Sequence, residues 1–300
     1  MAILAVGSIA FDTIETPHGK AERALGGSAI YFSCAASLFG DVRLVGVVGT
    51  DFPQERLDIF KGRSVDTGGL EIKEGKTFCW HGRYHEDMNT RDTIDVQLNL
   101  FGEFQPKIPA SFSETEYVFL ANCHPALQMS VLDQVKKPKF VMADTMNLWI
   151  DNTPEELRQL LGRIDGLLIN DDEARMLTGE SNLVVAGKKI VEMGPELVVV
   201  KKGEHGSLLF AEGKCAPLPA YPVESVFDPT GAGDSYAGGL MGHIAENNDW
   251  SMKTLKKGVA YGTVLASFTV EKFGVESVVA LDRDTLEKRL AEYRNMISTE

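Results

Sequence analysis

The stretch that decides the fold reads Phe227-Asp228-Pro229-Thr230-Gly231-Ala232-Gly233-Asp234-Ser235-Tyr236-Ala237-Gly238-Gly239. Two glycines flank an alanine, and a helical pattern follows over residues 235–245, so unpaired backbone N–H groups and the positive end of a helix dipole meet at one point. Such a point suits a phosphate group. Taken alone, the pattern is equally typical of an ordinary capping carboxylate, Asp234, after a glycine turn. The sequence on either side has to decide between the two interpretations.

Outward from this stretch, short aliphatic runs alternate with longer helical patterns. Continuous apolar runs suit strands that are buried on both faces. They occupy residues 3–6, 42–48, 117–121, 140–143, 166–169, 197–200 and 207–210. Helices are predicted between several of them, over residues 29–39, 153–161 and 171–178. This alternation predicts a mainly parallel sheet covered by helices.

One region breaks the alternation. Residues 76–85 alternate with period two, which predicts an exposed strand, and its antiparallel partner is expected before Phe101. Together with residues 13–22, we expect residues 76–101 to form a small β lid outside the main sheet. No internal repeat or linker marks a second domain, so residues 1–300 are predicted to form one domain that carries the lid.

Two common nucleotide-binding motifs are missing from the sequence. A Walker loop would need a glycine at Leu70, before Gly75-Lys76-Thr77, or at Asn182, before Gly187-Lys188. The segment Gly7-Ser8-Ile9-Ala10-Phe11-Asp12 lacks the second and third glycines of a dinucleotide fingerprint. The second gap disfavours a nicotinamide dehydrogenase, and together they indicate another phosphate-handling family.

The segment 228–239 resembles the C-terminal signature of the ribokinase-like (PfkB) family of carbohydrate and nucleoside kinases. Three further stretches agree with it, in the family's order. They are Gly26-Gly27 with residues 45–51, similar to the N-terminal signature; residues 170–173 with 177–179, similar to its N-x-x-E element; and residues 198–206, similar to the strand and loop that receive the nucleotide. The resemblance covers nearly the whole chain. It implies a three-layer α/β ribokinase-like fold, with a mainly parallel central sheet, helices on both faces and a small β lid.

The resemblance implies a kinase that transfers a phosphoryl group from ATP to a hydroxymethyl group of a small carbohydrate. Phosphoryl transfer needs an acceptor hydroxyl held in line, a group that takes its proton, and stabilisation of the equatorial oxygens. Asp234 can be the catalytic base. The N–H groups of Gly231, Ala232 and Gly233 can form the anion hole.

The resemblance also implies Mg²⁺ as a cofactor beside ATP. Glu173, with Asn170 beside it, would act through water on the Mg²⁺ that bridges the phosphates. A single outer carboxylate is adequate because Mg²⁺ keeps most of its waters and takes direct ligands from the phosphates. A monovalent cation near Asp228 is also considered.

The nucleotide is expected at the end of the strand that precedes Gly203. Gly203 and Gly206 flank a turn where missing side chains permit close approach of a nucleotide. The family often carries Thr at the position of Lys201, and relatives often place an Asn beside the adenine at the position of Thr263. Lys201 and Thr263 are therefore carried over as nucleotide-binding positions.

The acceptor is expected between Asp12 and the Gly26-Gly27 pair. Ribokinase-like sequences commonly carry Asn at the position of Ala10 and another Asn at the position of Tyr31. Apolar replacements discriminate weakly among hydroxyl groups and favour a flatter or more apolar partner. We therefore expect free ribose to be a poor substrate, with Asp12 on one or two hydroxyls and Tyr31 against a ring or substituent.

Composition and charge narrow the classes of partner. With 44% hydrophobic and 24% charged residues, the chain has the composition of a globular protein. Its formal net charge of -13 disfavours nucleic acid and anionic membranes, because both require a basic surface. The N-terminus lacks the pattern of a signal peptide, and no apolar stretch approaches the ~20 residues of a membrane span.

The spacing of the cysteines indicates the redox environment of the protein. The four cysteines, Cys34, Cys79, Cys123 and Cys215, are scattered and form no C-x-x-C pair, so neither a zinc site nor a disulfide framework is indicated. Reduced thiols predict a cytoplasmic protein. Exposed lid strands often pair with another chain, so a homodimer formed through the lid is considered.

Two alternatives stay open. The first is a nucleoside kinase of the adenosine or cytidine type, so the small-molecule partner is a sugar or a nucleoside. The second is a non-catalytic member of the family that binds a metabolite. The intact 231–234 segment and Glu173 argue against the second, because a pure binding module has no need of a base at an anion hole.

Overall fold

The apolar runs form a nine-stranded sheet in the computed structural model, which describes residues 1–298. Side by side, its strands are β13 (Lys214–Leu218), β12 (Ser207–Ala211), β11 (Leu197–Lys201), β10 (Gly166–Asn170), β9 (Phe140–Asp144), β8 (Tyr117–Leu120), β1 (Ile3–Val6), β4 (Val42–Gly49) and β5 (Val65–Lys73). Strands β11 to β5 pair in parallel, whereas β12 is antiparallel to both of its neighbours. Residues 299 and 300 of the predicted domain lie outside the described range.

Helices follow most of these strands. They are α1 (Ser28–Ala36), α2 (Pro125–Leu132), α3 (Asn147–Asn152), α4 (Pro154–Leu161), α5 (Asp171–Thr178), α6 (Leu183–Glu192), α7 (Ala232–Asn247), α8 (Met252–Thr269), α9 (Glu276–Val279) and α10 (Arg283–Ile297). Helix α5 has the predicted bounds, and α1 ends three residues before residue 39. Within residues 1–298, none of the helices is both long and apolar enough to cross a bilayer.

Alternate residues of the central strands pack into two separate cores. In β8, Tyr117 and Phe119 pack with residues of α7 and α8, whereas Val118 and Leu120 pack with residues of α2, α4, α5 and α6. A strand that is buried on both faces must be apolar at every position, which explains the continuous runs in the sequence. The predicted three-layer α/β fold is confirmed.

A second sheet has four strands, in the order β3 (Gly19–Gly26), β2 (Ala10–Thr16), β6 (Phe78–Tyr84) and β7 (Arg91–Gln97). It is called the lid below. Strand β7 pairs antiparallel with β6, and β2 joins them by parallel pairing with β6. The first lid segment is longer than the predicted residues 13–22, since β2 already begins at Ala10 and β3 continues to Gly26. The first residues of β2, Ala10 and Phe11, are buried.

The parallel strands bring several polar side chains to one edge of the main sheet. Strands β9, β10 and β11 end at Asp144, Asn170 and Lys201. The carboxyl ends of neighbouring parallel strands share one edge, which is where open α/β sheets bind their ligands. The candidate site lies there.

Candidate active site

Helix α7 begins in a tight glycine turn. Gly231, the residue before the helix, has φ 76°, a left-handed conformation that favours glycine. The N–H of Ala232 donates to the carbonyl of Pro229 at 3.2 Å, and that of Ser235 donates to the carbonyl of Gly231 at 2.9 Å. Of the three predicted N–H donors of the anion hole, the one on Ala232 is therefore already bonded in this conformation.

The ring of Tyr31 packs against this turn. A Cβ on Gly231 would overlap the Tyr31 ring, so the two residues are in close contact. Tyr31 is 1% exposed, and its buried hydroxyl has no hydrogen-bond partner among the described residues. The predicted acceptor-binding residue thus lies in the site with its ring covered by the loop, and its contact with an acceptor stays a prediction.

Asp234 lies in the first turn of α7 and is partly buried. Desolvation by its surroundings, followed by the negative charge of Asp144, raises the pKa of Asp234 to about 7. The positive charges of Lys201 and Arg91 act in the opposite direction. A carboxylate with a pKa near neutrality is well matched to accepting a proton from a hydroxyl group.

Lys201 carries a positive charge into this group of carboxylates. Its ammonium lies 3.4 Å from Asp144 Oδ2 and 3.0 Å from the position that a Cβ on Gly233 would occupy. Burial alone would lower the pKa of Lys201, but the Asp144, Glu173 and Asp234 carboxylates raise it above its usual value. The ammonium therefore stays charged beside the glycine turn.

Glu173 and Asn170 form a reciprocal cap at the start of α5. The N–H of Asn170 donates to Glu173 Oε2 at 2.9 Å, and the N–H of Glu173 donates to Asn170 Oδ1 at 2.8 Å. Burial and the charge of Asp144 raise the pKa of Glu173 to about 7. The sequence alone assigned this pair to the metal, whereas the structure shows that both residues also cap the helix.

The residues present fit an Mg²⁺ that is bound mainly by phosphate and water. Within residues 1–298, no group of three or more His, Cys, Asp or Glu side chains is arranged to hold a metal ion by itself. One buried carboxylate, Glu173, lies near Asp144 and Lys201 with Oε2 already bonded to Asn170. This donor set is suited to an outer-sphere role.

Asp12, Gly26 and Gly27 lie together at the predicted acceptor-binding site. Asp12 is 5% exposed, and its carboxylate occupies the space that a side chain on Gly26 would need. Gly27 has φ 96°, and a Cβ there would lie 2.5 Å from the Ser8 carbonyl oxygen. Burial and the charge of Asp228 raise the pKa of Asp12 to about 7.

Asp228 fastens the loop before α7 to the segment after α8. Its Oδ1 accepts from the N–H of Thr230 at 2.9 Å, and its Oδ2 accepts from the N–H of Gly274 at 2.8 Å. The residue is fully buried. Both oxygens thus have structural partners, and a monovalent cation would have to share them.

The predicted nucleotide loop lies between β11 and β12. Gly203 and Gly206 have φ of 54° and 77°, and a side chain on Gly206 would overlap the Leu218 carbonyl oxygen. The lid reaches this loop, because Asn89 Oδ1 lies 2.7 Å from the position of a Cβ on Gly203. Thr263 is different: it is 7% exposed and its hydroxyl is shared with buried tyrosines of the core.

The motifs missed three residues of the site. Asp144 directly follows the predicted strand run 140–143 and ends the observed strand, and its position at a carboxyl end could have identified it. Arg91 and Asn89 belong to the lid hairpin. The positive charge of Arg91 acts to lower the pKa of Asp234, and the side chain of Asn89 lies beside Gly203. No local pattern in the sequence marks either of them.

Comparison with known proteins shows the family of the chain. The family model for "pfkB family carbohydrate kinase" matches residues 2–280. The chain is 29% identical to the cytidine kinase of Thermococcus kodakarensis over 283 residues, which make up 92% of this chain and 98% of that protein.

Solved structures share the fold. A nucleoside kinase from Burkholderia thailandensis in complex with inosine has a TM-score of 0.79 at 18% identity, covering 98% of this chain and 97% of that one. A putative ribokinase II from E. coli in complex with ATP and Mg²⁺ has a TM-score of 0.79 at 16% identity, covering 97% and 99%. The chain belongs to the pfkB family of carbohydrate kinases, and it is a phosphotransferase that binds ATP and acts on a hydroxyl group.

Proposed function

We propose that this protein is a nucleoside kinase, which phosphorylates the hydroxymethyl group of a ribonucleoside. The observation that carries the proposal is the similarity to a cytidine kinase along 98% of that protein's length. Of the two acceptor classes that the sequence left open, nucleosides are thus favoured over free sugars. The inosine complex among the proteins of similar fold supports the same choice.

The residues of the predicted acceptor site disfavour a free sugar that is held by several polar side chains. Ala10 is fully buried and Tyr31 is 1% exposed, at positions where ribokinase-like sequences commonly carry amides. Those two positions therefore offer no exposed polar group to a free sugar. Asp12 would hold hydroxyls of the ribose, and the base would lie beyond the reach of these two residues.

The proposed chemistry uses Asp234 as the base. Asp234 would accept the proton of the attacking hydroxyl, whose oxygen forms the new bond to the γ-phosphorus as the bond to ADP breaks. The Gly231 to Gly233 segment would stabilise the negative charge on the phosphoryl oxygens. When bound, Mg²⁺ neutralises charge on the phosphates, and Glu173 with Asn170 would position its water ligands.

Further assignments belong to the same proposal. Lys201, Gly203 and Gly206 would contact the nucleotide, while the buried contacts of Thr263 do not favour it for that role. A monovalent cation near Asp228 is not favoured either, because both carboxylate oxygens already accept backbone N–H bonds.

A homodimer through the lid is supported by apolar side chains on and beside the edge strand β7. Ile94 and Val96 are 45% and 51% exposed, and Leu98 just beyond the strand is 42% exposed. Edge strands with exposed apolar side chains tend to pair with another chain. A cytoplasmic location is supported by the four cysteines, which are all free thiols.

A panel of acceptors tests the proposed function. ADP release is measured with cytidine, adenosine, inosine, ribose, fructose and a sugar acid, at fixed ATP and Mg²⁺. We expect kcat/KM for the best nucleoside to exceed that for ribose by about tenfold or more, roughly 1.4 kcal/mol of discrimination. Ribose as the best acceptor would refute the proposal, and absence of ADP release with every acceptor would favour the non-catalytic alternative.

A further inference from the structure

Asp144 is held rigidly at the end of β9. Its Oδ1 accepts the N–H of Thr145 at 2.9 Å. The buried amide of Gln128 donates to the carbonyl oxygens of Leu120, Ala121 and Asp144, at 3.0, 3.1 and 3.1 Å. These bonds fix the ends of β8 and β9 and leave Asp144 Oδ2 directed at Lys201.

The Lys201 ammonium has unused hydrogen-bonding capacity. Among residues 1–298, its one hydrogen bond goes to Asp144 at 3.4 Å, which is longer than the 2.7–2.9 Å of a strong charge-assisted bond. An ammonium group has three donors. The Lys201 side chain is 18% exposed, so bulk water satisfies these donors only in part. A partly buried cation with free donors is suited to an anionic ligand.

The position of the ammonium indicates which anion it meets. It lies against Gly233, in the turn that opens α7, and any side chain on Gly233 would come within 3.0 Å of Nζ. Asp234 follows directly in the chain. A phosphoryl group that enters this turn would therefore lie between the backbone N–H groups and the Lys201 ammonium.

We propose that Asp144 is a positioning residue that holds the Lys201 ammonium beside Gly233, where Lys201 contacts the phosphoryl group during transfer. The inference rests on the proposed use of the Gly231 to Gly233 turn as the anion hole. A fixed cation that needs no rearrangement at the moment of transfer lowers the barrier more than a mobile one. Asp144 provides this fixation while remaining bonded to the backbone on its other oxygen.

A double-mutant cycle tests the inference. The variants Lys201→Met, Asp144→Asn and their combination are assayed with the best acceptor of the panel above. We expect Lys201→Met to lower kcat by about 10²-fold, as for loss of one donor to a developing charge, and Asp144→Asn to lower it by about tenfold. If Asp144 acts through Lys201, Asp144→Asn costs less than about twofold in the Lys201→Met background. An equal cost in both backgrounds would overturn the inference.

Nucleotide binding gives a readout that does not depend on turnover. Dissociation constants are measured by calorimetry for ADP and for the non-hydrolysable analogue AMP-PNP, both with Mg²⁺. We expect Lys201→Met to weaken AMP-PNP about tenfold and ADP less than about twofold, because the ammonium faces the terminal phosphate. Equal weakening of both nucleotides would assign Lys201 to the rest of the nucleotide and refute its role in transfer.

Matched controls come from an exposed ion pair away from the site, which joins the segment before β8 to the segment before β9. Lys136 and Glu114 are 3.5 Å apart and well exposed; Lys136→Met and Glu114→Gln are expected to leave all constants unchanged. If Asp144→Asn does not fold, Asp144→Glu replaces it, and a wild-type kcat in that variant overturns the inference. Asp234→Asn is assayed in parallel: if it retains turnover, the proposed base fails whatever the result for Lys201.

Discussion

Replacing Gly231 by Ala tests the contact between the glycine turn and Tyr31. Gly231 has φ 76°, and an L-residue in the left-handed region costs roughly 1–2 kcal/mol. The added Cβ would overlap Tyr31 Cδ1 and fall more than 1 Å short of an ordinary van der Waals separation. A displacement of about 1 Å at a reacting centre costs on the order of 10²-fold in rate. We expect Gly231→Ala to lower kcat by about that factor and to lower the melting temperature.

The chain offers a control that separates the two effects. Gly213, in the turn between β12 and β13, has φ 68° and no atom within 4 Å of its hypothetical Cβ. Gly213→Ala therefore carries the backbone cost without a clash, and we expect reduced stability with unchanged kcat. Removing the obstacle in Gly231→Ala/Tyr31→Ala should restore part of the lost rate.

ADP release and thermal melting are measured on all of these variants. The reasoning is refuted if Gly231→Ala keeps a kcat within about threefold of wild type, because a 1 Å shift of the anion hole should not be tolerated. An equal loss of kcat in Gly213→Ala would also refute it.

Four further predictions concern the carboxyl groups of the site. Asp234→Asn should lower kcat by about two to four orders of magnitude while AMP-PNP binding survives; a near-normal kcat would exclude Asp234 as the base. Because the pKa of Asp234 is raised to about 7, kcat/KM should fall about tenfold per pH unit below that value and level off above it, and a profile that is flat from pH 5 to pH 8 would contradict this. A raised carboxyl pKa stabilises the fold below the pKa of the unfolded chain, and this stability is lost as pH rises through the folded pKa. The ligand-free melting temperature should therefore drop between about pH 5 and pH 7.5, and less so in Asp234→Asn, as checked by melting curves in matched buffers. Glu173→Gln should raise the Mg²⁺ concentration for half-maximal rate more than the KM of the acceptor, and an unchanged Mg²⁺ titration would remove Glu173 from the site.

The sequence predicted the central strands because those strands are buried on both faces. It missed β5 and β13 at the two edges of the main sheet. Strand β5 carries Gly68 and Gly69, and all but one of its residues are partly or fully exposed, whereas β13 contains Pro217. Edge strands tolerate glycine, proline and polar residues, so they leave no apolar run to recognise.

The sequence predicted those site residues that belong to a motif. It did not predict the residues that reach the site only through the packing of distant elements. The motif located the α7 turn, Glu173 and the nucleotide loop. It did not show that the ring of Tyr31 packs against Gly231 and is buried there, and the contact of Tyr31 with an acceptor stays a prediction. Which face of α1 meets the turn depends on the crossing of α1 and α7, and no local pattern specifies that. Asp144 was missed for a related reason: its significance arises from Lys201, which comes from another strand.

The lid contacts both the anion turn before α7 and the nucleotide loop after β11. At one end, the Thr230 hydroxyl donates to Tyr84 Oη at 3.2 Å, beside the anion turn. At the other, Asn89 meets Gly203 in the nucleotide loop. Arg91 pairs with Tyr84 across the hairpin, and its positive charge acts to lower the pKa of both Asp234 and Glu173. Because one hairpin contacts both the anion turn and the nucleotide loop, we expect a movement of the lid to change phosphoryl transfer and nucleotide binding together.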